Sequence, residues 1–164
     1  MVPPERLSHV QQVALGYCLP ACAQMALAQL GIATTQAELA QVLGTRAGVG
    51  TPFPRVERLA QWGVRVQLER RIAVDELVAA LAAGVAVIAA LTTTPGLPGW
   101  GNIRTQHTVL IISVDVGNGN GNERITYHDP ALSYGPVSTL LSEFLLAWGE
   151  MDERAAFVSR PGES

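Results

Sequence analysis

The 164 residues suffice for one domain, 1–164, with a real core, and 48% hydrophobic against 15% charged residues excludes a disordered chain. A net charge of −3 gives no electrostatic footprint for nucleic acid or anionic lipid, and the eleven basic residues are all Arg, which reads as a codon bias. The first six residues lack the order of a signal peptide and the most apolar segment, 85–91, falls far short of the ~20 residues a spanning helix needs, so a soluble, cytoplasmic protein without membrane insertion is expected.

Residues 19–30 read as an Ala-rich helix closed by Gly31. Thr35 and Glu38 form a capping box that opens a short helix to about Leu43. A Gly- and Thr-rich loop over 44–54 leads to a third helix, from about Pro54 to Trp62, stopped by Gly63. Residues 64–70 alternate apolar and polar as a half-buried strand does. A helix over 75–83 ends at Gly84, and 85–91 reads as a central strand. A Pro/Gly loop over 94–105 holds Trp100. An apolar strand over 107–115, a Gly/Asn turn over 117–122 and a strand over 124–129 follow. Ser138 is expected to cap a helix running to Trp148, and 155–159 to add a last strand. Helices first and a mostly antiparallel sheet after them make an α+β pattern.

Chemistry concentrates around Cys18. The two cysteines, Cys18 and Cys22, are four apart on one helix face, a poor geometry for a disulfide, and two thiols with no nearby His fall short of a zinc site. Neither a metal nor a cofactor is expected. Pro20 sits at the second or third helical position, where its missing N–H costs nothing, so Cys18 lies at the helix amino terminus. Unpaired N–H groups and the positive end of the helix dipole favour a thiolate there. His107 begins an apolar strand and Asp129 ends another. With the hairpin turn centred near 118–119, residues 129–131 fall across from His107. A carboxylate there can accept the second imidazole N–H and support the imidazolium. Gln12, six residues before Cys18, offers an amide N–H₂ for a tetrahedral oxyanion.

Gln12, the step to Cys18, the Cys18-x-Pro20-Ala21-Cys22 run, the strand-initial His107 and the pair Asp129-Pro130 resemble the papain-like cysteine peptidases of the bacteriocin-processing, double-glycine leader family. The likeness spans residues 11 to about 130. It implies a papain-like fold, an oxyanion hole at Gln12, attack by Cys18 and activation by His107 and Asp129. It further implies cleavage after small residues such as Gly-Gly. The chain departs from the family at Leu19, where Gly is usual, and at Tyr17, where an acidic or amide residue is usual. Without the transmembrane and nucleotide-binding parts of a leader-processing exporter it would act alone or with a partner protein in trans.

Three other residues compete for roles. Cys22, one turn inside the helix, reads as a packed core thiol. His128 should point to the opposite face from Asp129, and His9 reads as solvated. Trp100 reads either as a substrate-subsite wall or as a surface-packing aromatic. The expected activity is thiol-dependent hydrolysis of a peptide or isopeptide bond through an acyl-enzyme. The alternatives are a retired peptidase-like domain that binds a leader or partner peptide, and acyl transfer by the same constellation.

Overall fold

The strand β2, Ala86–Thr92, has no polar face, and this decides the architecture. Ala86, Ile88 and Ala90 enter one apolar cluster while Val87, Ala89 and Leu91 enter another. A strand apolar on both sides must lie in the middle of a sheet covered on both faces. The computed structural model, which describes residues 8–162, shows that arrangement. Six strands, β1 Arg65–Glu69, β2, β3 Gln106–Asp115, β4 Arg124–His128, β5 Val137–Leu140 and β6 Arg154–Ser159, form one sheet in the order β1-β6-β2-β3-β4-β5. Every pairing is antiparallel.

One face of the sheet carries α1 (Cys18–Gln29), α2 (Gln36–Leu43) and a 3-10 helix (Phe53–Trp62). The other carries α3 (Val74–Ala82) and α4 (Leu141–Gly149), with Leu77, Phe144 and Trp148 fully buried against it. Nine of the twelve residues of α1 are buried, and its alanines let the helix lie close to β2 and β3. That close seat fixes the amino end of α1 beside the start of β3. The β3–β4 register does the rest: Leu110 pairs with His128, so Asp129 leaves the sheet within reach of His107.

Several expected elements shift. The third helix begins at Phe53 and is 3-10 throughout; its apolar Phe53, Val56 and Leu59 recur every third residue, which matches three residues per turn. Ser138 does not cap a helix. It lies in β5, an edge strand whose Val137 and Thr139 face inward, and α4 starts three residues later at Leu141. The capping box on α2 has both reciprocal bonds, Glu38 N–H to Thr35 Oγ1 at 3.2 Å and Thr35 N–H to Glu38 Oε1 at 2.7 Å.

Candidate active site

Cys18 is the first residue of α1 and is half-buried, with Tyr17 at the cap and Pro20 at the third helical position. Its thiol interacts with the His107 ring. Burial by itself would push this thiol up; the His107 hydrogen bond and charge outweigh it, Thr108 helps, and the thiol sits below its ordinary value. Cys22 behaves in the opposite way. It is fully buried in the helix-side core, and burial first, then the neighbouring Cys18 charge, hold its thiol well above the ordinary range. It stays protonated and inert.

His107, 6% exposed, donates from Nε2 to Asp129 Oδ1 at 2.6 Å, which leaves Nδ1 for the thiol. Burial would lower the imidazole; hydrogen bonds to Asp129 and Cys18, with both their charges, reverse that and raise it to about 9. Asp129 is 1% exposed, and burial would raise its carboxyl. The His107 bond and charge, the Trp100 indole and the Ala131 N–H together hold it below the ordinary carboxylate range. Trp100 Nε1–H donates to Asp129 Oδ2 at 2.8 Å, Ala131 N–H donates to Oδ1 at 2.9 Å, and the indole meets the imidazole edge-on at 4.7 Å between centroids. The Asp129 charge also pushes Tyr127 up, after burial, which keeps that buried phenol neutral.

Gln12 lies on an extended strap that crosses from the helices to the sheet. Gln12 N–H donates to Pro130 O at 2.8 Å. The buried Gln36 side chain brackets Gln12 by accepting from Val13 N–H at 2.8 Å and donating to Gln11 O at 3.2 Å. The Gln12 amide gives one N–H to Ala14 O at 3.1 Å, and its NH₂ carries a second.

Cys18, His107, Gln12 and Trp100 line a cleft of about 540 Å³. One wall is the turn 46–50, which docks through Gly48 N–H to Leu15 O at 2.7 Å. The other is the loop 94–105, with exposed Ile103. Leu19 is 1% exposed and sits in the helix-side core, so its bulk lies away from the cleft. Gly16 is where the wall and the nucleophile's segment meet. Its φ is +86°, and a Cβ there would stand 2.8 Å from Gly50 N and 3.0 Å from Arg46 O. Gly16→Ala therefore combines left-handed strain with a backbone clash; a loss of about 2 kcal/mol or more, read as a melting temperature lower by roughly 4–8 °C, is expected. A melting temperature unchanged from the parent would refute the tight docking of this turn.

The geometry thus brings together Cys18, His107, Asp129 and Gln12, and it places Trp100 both in the cleft wall and on Asp129. His128 points away from Asp129, to the other side of β4, where it meets His9. His9 is not solvated. It is half-buried, donates from Nε2 to Leu132 O at 2.7 Å, and shares a hydrogen bond between its Nδ1 and His128 Nδ1 at 3.2 Å. Two participants have no signal in the sequence, the Gln36 bracket and the indole bond to Asp129, since each joins residues more than twenty positions apart. Among the described residues, no group of three or more His, Cys, Asp or Glu could hold a metal ion, and no helix is long and apolar enough to cross a membrane.

Known proteins share this arrangement of elements. The crystal structure of a C39-like peptidase from Bacillus anthracis superposes with a TM-score of 0.72 at 16% identity, covering 95% of this chain and 96% of that one. The peptidase domain of Streptococcus ComA, a bi-functional ABC transporter involved in a quorum-sensing pathway, superposes with a TM-score of 0.73 at 17% identity, covering 94% and 99%. At such identities these likenesses establish the fold, which is the papain-like α+β fold of C39 peptidases. No curated protein matches in sequence. The family model described as Peptidase_C39 like matches residues 5–156, nearly the whole chain, and the protein belongs to that family.

Proposed function

We propose that this protein is a cysteine peptidase that hydrolyses a peptide bond through an acyl-enzyme on Cys18. The observation that carries the reading is the linkage of Cys18 to His107 and of His107 to the buried Asp129, with Cys18 and His107 lining a cleft. The raised imidazole and the lowered thiol favour a resting state with the proton on His107 and the negative charge on Cys18. The thiolate attacks the carbonyl carbon, and the carbonyl electron pair moves to oxygen. Two donors are available to that oxyanion, the second N–H of the Gln12 amide and the backbone N–H of Cys18. Collapse expels the amine, which takes the proton from the imidazolium. Neutral His107 then activates water, and hydrolysis of the thioester returns the thiolate–imidazolium pair.

The cleft supports a substrate with little side chain near the scissile bond. Gly16, Gly48 and Gly50 line the wall close to the nucleophile, so backbone rather than side-chain pockets faces the peptide there. A Gly-Gly sequence fits such a wall, and the substrate is a peptide or protein with small residues at the cut. The binding-only alternative rests on Leu19 and Tyr17, and of these the Leu19 side chain is turned into the core.

Limited treatment with iodoacetamide followed by peptide mass mapping tests the nucleophile. Cys18 should be alkylated well before Cys22, by more than about tenfold in rate, because its thiol is lowered and half-buried whereas that of Cys22 is raised and fully buried. Preferential labelling of Cys22 would sink the assignment. Incubation with peptides containing Gly-Gly, read by product mass, tests the activity; a peptide left intact alongside all of its relatives with other small residues would count against hydrolysis.

A further inference from the structure

We propose that Trp100 is a positioning residue of this machinery, whose indole N–H locks the Asp129 carboxylate in the orientation that serves His107. The inference rests on the cysteine-peptidase reading. It begins with how the two carboxylate oxygens are occupied. Oδ1 accepts from both His107 Nε2 and Ala131 N, whereas for Oδ2 the donor is Trp100 Nε1. Two bonds to one oxygen leave the carboxylate able to swing about its Cβ–Cγ axis. A bond to the second oxygen fixes the plane, and at 1% exposure water is a poor substitute. The same indole packs edge-on against the imidazole at 60°, so a single side chain restrains both partners of the pair.

The backbone that carries the indole is itself braced. Ile103 N–H donates to Trp100 O at 2.9 Å, and Thr93 Oγ1 donates to Ile103 O at 2.8 Å while Thr93 N–H donates to Thr105 O at 2.9 Å. This bracing ties the loop 94–105 to the end of β2, so the donor is in position before any peptide arrives. A residue that served only as a subsite wall would need no bond to a buried carboxylate.

The test is the titration of the His107 imidazole, followed by NMR in the full chain, where three histidines are to be told apart. Trp100→Phe keeps the ring and removes the donor. It should lower the His107 midpoint by about one pH unit, a tenfold change in its ionisation constant, and cut kcat about tenfold with KM within about twofold. Trp100→Gln places an amide nitrogen the same number of bonds from Cα and should restore the midpoint. In the unaltered protein the Trp100 indole proton should shift with the same titration. A midpoint unchanged or raised in Trp100→Phe, with KM rising instead, would overturn the proposal and leave a subsite wall only; so would an indole proton indifferent to the titration. The titration needs no substrate. Absence of turnover by the parent protein would defeat the peptidase reading and leave the NMR comparison standing.

Discussion

Cys18→Ala should abolish peptide hydrolysis and leave the fold intact, while Cys22→Ala keeps most of the activity and loses stability. The two thiols lie one turn apart on α1, yet the helix places them in opposite environments. Cys18 is at the open amino end, half-buried, against an imidazolium that favours its ionised form. Replacing it removes the attacking atom, and the small change in a half-buried side chain leaves few contacts behind. Any residual rate should be lower by a factor on the order of 10⁵ or more, since removal of the nucleophile from comparable catalytic constellations costs about 10⁶. Cys22 is fully buried among Leu19, Met25 and Leu110, and its thiol is held protonated. Cys22→Ala leaves a small cavity there, worth about 1–2 kcal/mol, or a melting temperature lower by roughly 2–8 °C. Turnover of both variants on one Gly-Gly peptide, with circular dichroism to confirm folding, checks the pair. Equal loss of turnover in two folded variants would remove the grounds for choosing Cys18.

The sequence exposed those parts of the fold where local and tertiary demands agree. The apolar run that becomes β2 has no alternative to a doubly covered sheet, and the Thr35–Glu38 box closes on itself within four residues. The strand β5 was hidden because Val137–Leu140 is only four residues long, and its Ser138 has the chemistry of a helix cap. Its inward alternation becomes visible only against β4. His9 was hidden for a related reason: the strap that carries it has no periodicity, and its burial depends on Leu132 and His128, more than a hundred residues away. The grouping of Cys18, His107 and Asp129 could be inferred from a helix start, a strand start and a hairpin register, all local features. The support around it could not. Trp100 reaches Asp129 across 29 positions and Gln36 brackets Gln12 from the start of α2, and no spacing rule encodes either contact.

His107→Ala and Asp129→Asn should rank in that order of damage, and their pH profiles should separate two roles. His107 supplies both the proton for the leaving amine and the cation that keeps Cys18 ionised, so its removal is expected to cost more than about 10³-fold in kcat. In the same variant the pH midpoint for alkylation of Cys18 should move upward, toward the ordinary thiol value of 9.0, because the His107 hydrogen bond and charge are gone and the burial that raises it remains. Asp129→Asn is milder. The amide keeps the size of the carboxylate and an oxygen that accepts from His107, but removes the charge that helps lift His107 to about 9. The ion pair with Cys18 still exists, so a loss of on the order of 10- to 10³-fold is expected, less than the ~10⁴ of a serine triad whose acid is made an amide. The sign of the pH effect follows from the direction of the shift. Activity needs protonated His107, so in the parent it declines as pH rises through about 9, and in Asp129→Asn that decline should begin at lower pH. Steady-state kinetics from pH 5 to about 10 on the parent and both variants measure all of this. An alkylation profile of Cys18 that His107→Ala leaves unmoved would mean that the two side chains are not coupled, and a cysteine without its base would return the molecule to the class of peptide-binding domains.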